Sequence, residues 1–536
     1  MRPVLLCATG AWLGQVSAEY TWPSPHDELE DILSLQSGLY ARNFVAGVTP
    51  CLQGGNVKGR QNAAEWIRTA FHDMITHSAG NNDGPSTGGL DGSIWFELDR
   101  PANSGLAFNN TFNFFAYLYS RRASAADLLA MSVIVSHSAC GSPTIPKIPF
   151  RAGRIDASGA GPTGVPEAFT PLDETASQFR KAGLSEKEMI QLVACGHTLG
   201  GVHSNNHPQI VPGDSSIWND TVETFDRTPH SFDNHIAKEY MQGVTRNPLV
   251  IGANDTLNSD KRIFESDGNK TISELAAQSS TFEEVCASVF RKMIDTVPAG
   301  VELSKPIEAV DVKPYIIDLS VDGDGNLQFA GRIRVRTTDG RDEKSLAVTL
   351  FLTDRHGEAL TSLETTYSGN ATGLYGEKFA WYEYRTMLDG KRGVSKFDIH
   401  LVEADGTVQV HTNGGGGFPV DDSVVYQRAA SCVSRTSSGG FRNATITAAV
   451  RKKEADLSLS VDVVRLQRRQ GIAVRAMEVE RLALQAGQTQ GDWVIFSAPV
   501  QFATAAWATT FDLVQDGPDG KGSKLEFIRT ESCPRK

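Results

Sequence analysis

No apolar run in this chain approaches the roughly 18 residues of a membrane-spanning helix, so no helical span is expected. A basic surplus is also missing. There are 51 Lys and Arg against 63 Asp and Glu, a net charge of −12. That balance speaks against nucleic acid or an anionic membrane surface as partner. No two cysteines have Cys-x-x-Cys spacing, which argues against a structural zinc site. Charged residues make up only 21% and apolar residues reach 40%, the mixture of a folded globular protein rather than a disordered one. At 536 residues the chain exceeds one ordinary core, so two or three domains are expected.

What is present begins with the N-terminus. Arg2 precedes an apolar stretch, Pro3 to Val16, and then the small-residue pattern Val16-Ser17-Ala18. Residues 1–18 read as a secretory signal peptide. Asn109, Asn219, Asn254, Asn269, Asn370 and Asn443 each open an N-x-S/T triplet, which fits a secreted, extracellular glycoprotein. Cys7 would leave with the signal. Cys51, Cys140, Cys195, Cys286, Cys432 and Cys533 remain, and an oxidising compartment would allow two or three disulfides.

Residues 26–300 have a helical texture. Capping boxes are expected at Ser124 with Asp127, Ser185 with Glu188 and Thr281 with Glu284. Long Gly/Pro/Asn loops separate these segments, notably Ser78–Gly92 and Ile145–Pro171. After Pro306 short alternating strands take over: Tyr315–Val321, Leu327–Thr337, Leu346–Asp354, Lys396–Glu403, Thr407–Thr412, Ala455–Val464, Ile472–Leu482, Asp492–Ala498 and Phe511–Asp516. The segment Lys396-Phe397-Asp398-Ile399 with Ser431-Cys432 is echoed by Thr510-Phe511-Asp512-Leu513 with Ser532-Cys533. The expectation is an all-α domain over 19–304 and two tandem β-sandwiches, 305–432 and 433–536.

Two segments carry chemistry. In Ala64-Glu65-Trp66-Ile67-Arg68-Thr69-Ala70-Phe71-His72-Asp73, Arg68 and His72 stand at i and i+4 on one helix face. A base beside a cation suits peroxide cleavage, the imidazole moving a proton and the guanidinium stabilising departing hydroxide. Alone, such a pair is more often a solvated face. In the second segment His197 is expected inside an apolar helix, among small residues, Cys195-Gly196-His197-Thr198-Leu199-Gly200-Gly201-Val202-His203. Alone it reads as a satisfied core histidine, although the small neighbours leave room for a flat macrocycle.

Together, in this order, the two segments resemble the plant-type haem peroxidase superfamily over about residues 40–300, in particular its secreted fungal hybrid-type and class II members. The resemblance implies an all-α haem peroxidase fold binding haem b. It makes Arg68, Phe71 and His72 the distal Arg, aromatic and His. Within Ala102-Asn103-Ser104-Gly105-Leu106 it makes Asn103 the partner of the distal His. His197 becomes the proximal iron ligand, Asp260 its carboxylate partner, and Phe225 the proximal aromatic. The segment Gly153-Arg154-Ile155-Asp156 matches a further family motif, and Cys51 with Cys140 matches one family disulfide.

The same resemblance implies two calcium ions. Asp73, Gly89, Asp91 and Ser93 match a distal site; Thr198, Asp226, Thr228, Ser231 and Asp233 match a proximal one. Hard oxygen donors on loops suit calcium, and turn formation is the competing role. His203 resembles the intracellular branch, where that histidine contacts a haem propionate. Gln61, Glu65 and His203 stand where manganese-oxidising members carry three acids, and Leu192 where ligninolytic members carry a surface Trp. The Asp322-Gly323-Asp324-Gly325-Asn326 segment mimics a calcium loop but reads as a hairpin turn, because Leu327 replaces the required Gly. The expected function is peroxide reduction with one-electron oxidation of small phenolic or aromatic donors. The expected contact of the C-terminal region is with cell wall or polysaccharide. The competing reading is a wall-binding or adhesion protein on a degenerate peroxidase scaffold.

Overall fold

The structure is a computed structural model and describes residues 20–55, 57–80, 87–214, 216, 219–504, 510–517 and 522–533. The expected signal peptide, residues 1–18, lies outside the described residues.

A helical domain comes first. The helix Asn62–Met74 buries Ala63, Trp66, Ile67, Ala70 and Met74 on one face, the i, i+3, i+4 stripe of a helix packed on a core. That stripe leaves Ala64, Arg68, Phe71 and His72 on another face. The helix Ala125–Cys140 is apolar all round and buried along nearly its whole length. Ser124 caps it through the Asp127 N–H at 3.0 Å, but the Asp127 carboxylate does not close the box. It binds Arg154 instead, at 2.9 Å. Asp156 accepts from the Ala125 and Ala126 N–H groups at 3.2 and 2.9 Å. The Gly153–Asp156 motif therefore holds a helix start. Ser185 with Glu188 forms the full capping box of Glu186–Gly196. The expected third box is absent, because the helix Ser279–Asp295 starts two residues before Thr281, after Gln278.

Four antiparallel sheets follow, as two face-to-face pairs. In the first pair, Val312–Val321, Leu327–Arg336, Lys378–Leu388 and Thr366–Thr372 pack on a sheet of Ala347–Thr353, Lys396–Val402 and Val408–His411. Phe329, Ile333, Leu350, Phe397 and Ile399 fill the space between them. The second pair sets Val424–Tyr426, Phe441–Arg451, Trp493–Ala503 and Gln485–Gln490 against Ile472–Ala483, Leu459–Arg469, Thr510–Gln515 and Lys524–Arg529. Its core includes Ile446, Val461, Val463, Phe511 and Leu513.

Two details differ from the sequence expectation. The second pair of sheets begins ahead of residue 433, because Val424–Tyr426 pairs with Ala448–Val450. The helical segment also contributes a strand to the first sandwich: Ser37–Gly38 pairs with Ala371 and Thr372. The Asp322–Asn326 turn closes the first hairpin, with the Asp322 carboxylate accepting from the Asp324 and Asn326 N–H groups. Disulfides join Cys51 to Cys140, Cys195 to Cys286 and Cys432 to Cys533. The last explains the echoed cysteines, which are partners in one sandwich rather than copies in two. Each bridge closes a loop of about 90 to 100 residues, worth about 4–5 kcal/mol in chain entropy.

Candidate active site

A cavity of about 320 Å³ opens between the His72 helix and the end of the His197 helix. Arg68, Phe71, His72, Ala102 and Leu106 line one side; Gly196, His197, Gly200, Phe225 and Asp260 line the other. Residues more than 100 positions apart in sequence thus face one space.

On the first wall, His72 Nδ1 lies 3.0 Å from Asn103 Oδ1. The Asn103 amide orientation is set by its other end, whose NH₂ donates to the Glu97 carbonyl at 3.0 Å. With an oxygen facing it, His72 Nδ1 carries the proton and Nε2 is the free base. Burial, and secondarily the Arg68 charge, lower the His72 pKa to about 3, so the ring is neutral at ordinary pH. Arg68 is half-buried, and among the described residues no carboxylate forms an ion pair with it; its guanidinium lies 4.7 Å over the Phe108 ring. Burial lowers it to about 10, leaving it a cation at neutral pH. A partly desolvated cation with no ion-pair partner among the described residues, and only the Glu65 charge nearby, is poised to receive negative charge.

On the second wall, His197 Nδ1 lies 2.9 Å from Asp260 Oδ2. The carboxylate fixes the tautomer and leaves Nε2 to bind iron. His197 is not inside the helix, as the sequence pattern suggested, but at its C-cap; Gly200 then turns the chain at φ +81°. The Phe225 ring stacks on the imidazole, 4.3 Å between centroids and 9° from parallel. The disulfide to Cys286 fixes the preceding turn.

A haem fits this donor set. One imidazole has its far nitrogen occupied and its near one free, and it faces an apolar space flanked by glycine. Gly196 lines the cavity, and a Cβ placed there would meet no heavy atom within 4 Å. His203 also lines the cavity, its Nδ1 held by Asp220 at 2.6 Å, so Nε2 is the nitrogen left for a carboxylate such as a propionate. Gln61 and Glu65 line the same mouth, but Gln61 donates to the Cys51 carbonyl and Glu65 is held by Arg60 at 2.8 Å. Leu192 is buried against the cavity, not on the surface.

The two proposed cation sites differ. In the distal set the donors close on each other. Asp73 accepts from the Asp91, Gly92 and Ile94 N–H groups at 2.7–2.9 Å, and weakly from the Ser93 hydroxyl. The Gly89 carbonyl accepts from the Asp91 N–H. These contacts are those of a turn and occupy the Asp73 carboxylate, while Asp91 accepts from the Ser93 N–H through Oδ1. The proximal set is different. Thr198 Oγ1 donates to the Asp233 carbonyl at 2.6 Å, and Thr228 Oγ1 to the Asp233 carboxylate at 3.1 Å. Asp226 is fully buried, with Oδ2 lacking any partner among the described residues. Burial pushes its pKa up to about 7, the Thr228 N–H opposing and Asp233 and Glu239 reinforcing the shift. An orphaned oxygen beside a second carboxylate and two hydroxyls fits one calcium ion. Ser231 lies in the same turn, its N–H donating to the Thr228 carbonyl. No cluster of three or more His, Cys, Asp or Glu side chains suited to a metal occurs among the described residues.

The sequence did not reveal Asp220, Glu97, Phe108, His207 or Asn247, all of which serve this cavity. Asp220, Phe108 and Asn247 meet their partners through the fold, and no local spacing marks them.

A family model described as Peroxidase matches residues 52–279. A WSC domain-containing protein of Arthroderma benhamiae is 40% identical over 408 residues, covering 74% of this chain and 55% of that protein. L-ascorbate peroxidase 5, peroxisomal, of Arabidopsis thaliana is 29% identical over 208 residues, 38% of this chain and 67% of the relative. A lignin-forming anionic peroxidase of Nicotiana sylvestris is 28% identical over 203 residues, 31% and 62% respectively. The chain thus spans between about half and two thirds of the length of these relatives.

Proposed function

Because residues 52–279 form a peroxidase-family domain, we propose that the chain is a haem-dependent peroxidase that reduces hydrogen peroxide and oxidises small phenolic or aromatic donors one electron at a time. One observation carries this reading. A single cavity holds a carboxylate-paired histidine on one wall, and on the other a neutral histidine beside a half-buried arginine that has no ion-pair partner among the described residues.

Haem b, when bound, would supply the redox chemistry and hold two oxidising equivalents. His197 would hold it through Nε2, with Gly196 and Phe225 shaping the floor and His203 reaching a propionate. His72 Nε2 takes a proton from peroxide and returns it to the departing oxygen, while Asn103 keeps the other nitrogen protonated. Arg68 lowers the cost of the negative charge that develops as the O–O bond breaks. Asp260 makes the proximal ligand more electron-rich.

We further propose one calcium ion at Asp226, Thr228, Asp233, Thr198 and Ser231. A second ion at Asp73, Gly89, Asp91 and Ser93 would need the Asp73 carboxylate to exchange N–H partners for the cation. Secretion is proposed on the sequons, of which Asn109, Asn219, Asn254, Asn370 and Asn443 are exposed, and on the three disulfides. The wall-binding alternative requires a spent site, whereas His72 pairs with Asn103, His197 pairs with Asp260, and Arg68, His72 and His197 line one cavity. The test is the purified full chain with added haem. A Soret band and peroxide-dependent oxidation of a phenol are expected; a colourless protein that binds no haem would overturn the reading.

A further inference from the structure

Asp260 has a second partner that the peroxidase reading does not use. Asn247 Nδ2 donates to Asp260 Oδ2 at 2.7 Å, the same oxygen that His197 Nδ1 approaches at 2.9 Å. Asn247 is fully buried, and so is Asp260. The amide cannot be turned around, because its Oδ1 accepts from the Leu249 N–H at 2.9 Å. Among the described residues the other Asp260 oxygen has only a long contact, 3.5 Å, from the Ser259 hydroxyl. The carboxylate therefore divides one oxygen between the histidine and a fixed neutral donor.

We propose that Asn247 is a positioning residue that sets how strongly Asp260 pulls on the His197 proton, and so sets the reduction potential of the iron. The proposal rests on His197 being the iron ligand. A hydrogen bond donated to a carboxylate spreads its charge and makes it a weaker acceptor for its other partner. With Asn247 in place, the imidazole keeps more neutral character than a lone carboxylate would give it. Removing the donor concentrates charge on the oxygen facing His197, makes the ligand more anionic and favours ferric over ferrous iron.

Two variants of the full-length haem protein separate this from a structural role. Asn247→Leu removes both the donor to Asp260 and the acceptor for Leu249. Asn247→Ser keeps a side-chain oxygen for the Leu249 N–H but is too short to reach Asp260. Both should lower the ferric/ferrous potential alike, with a tenfold shift toward ferric iron read as about 59 mV. Both should raise the iron–histidine stretching frequency in resonance Raman spectra of the ferrous protein, while Asn247→Ser keeps the parent melting temperature. An unchanged potential in both overturns the proposal. A potential that rises, or that moves only in Asn247→Leu, also overturns it, because Asn247 then merely holds the backbone. If the parent protein shows no iron–histidine stretch, it is the assignment of His197 that fails.

Discussion

In the cavity burial keeps His72 neutral while Arg68 stays a cation, and this makes the two testable one at a time. His72→Leu should slow the reaction with peroxide by about 10²–10⁴, the range of general acid–base catalysis; Arg68→Leu should slow it less. Stopped-flow mixing with peroxide checks both, and a parent rate in His72→Leu would remove the base from the mechanism. Because burial holds the His72 pKa near 3, the parent rate should be flat from neutral pH to about pH 4 and fall only below it. His137 offers a stability counterpart. It is buried against Phe232 and Phe290, and neither ring nitrogen has a partner among the described residues. Burial lowers its pKa to about 3, against about 6.5 in the unfolded chain. Below pH 6.5 the unfolded state therefore binds the proton and the folded state does not, so stability is lost as pH falls. The loss is on the order of 2 kcal/mol at pH 5. His137→Leu should remove this loss, and denaturant melts at pH 7 and pH 5 should show a smaller difference than in the parent.

At the scale of elements, the site depends on how chain segments end. The His197 helix stops one residue before its histidine, and the loop that follows runs into the Thr198, Asp226 and Asp233 cluster. A calcium ion there would bind the folded chain and not the unfolded one, and would stabilise it by mass action. A chelator should lower the melting temperature, and Asp226→Ala should remove that response. Elemental analysis should find calcium in the parent and at least one ion fewer in the variant. A protein that contains no calcium and is indifferent to chelation would leave these residues as turn-formers only. Binding should weaken as pH drops below about 7, because the ion must then displace the proton that Asp226 takes up.

For the whole molecule, the β region is built into the helical domain. Lys313 and Arg334, both on the first sandwich, bury their charges against Glu30 and Asp31 of the helix Asp27–Ser34, at 2.6–3.0 Å. Removing one partner of a buried pair leaves a stranded charge and costs about 3–5 kcal/mol. Lys313→Met should lower stability by that order, measured by denaturant melts; a change within error would show the cluster to be replaceable. The second sandwich reaches further. Val474, at the tip of the hairpin Leu459–Arg469 and Ile472–Ala483, joins the helical core, and Arg469 lies 5.0 Å over Phe96. Phe96 precedes Glu97, whose carbonyl orients Asn103 and through it His72. Val474→Asp should therefore slow the peroxide reaction as well as lower the melting temperature. A slower rate with unchanged haem content is the informative result, and an unchanged rate would show that the hairpin only braces.

The sequence by itself determined the helical segment, the shared face of Arg68 and His72, and the change to strands after Pro306. Arg68 and His72 sit four apart on one helix, a short-range spacing that helical geometry turns directly into a shared face. The strands Leu327–Arg336 and Ile472–Ala483 were legible because alternation is likewise local. Phe441–Arg451 and Lys378–Leu388 were not, because both faces of a central strand can be apolar or crossed by buried polar groups such as those around Arg451. Only the tertiary structure decided what meets across the fold. Asn247 and His197 converge on Asp260, Asp220 reaches His203, and Lys313 reaches Glu30. It also separated the distal carboxylate, already satisfied by backbone N–H groups, from the proximal one with an open oxygen. The physical reason is the same in each case. A hydrogen bond or ion pair depends on distances of about 3 Å between residues tens to hundreds apart in sequence, and no local spacing encodes that distance.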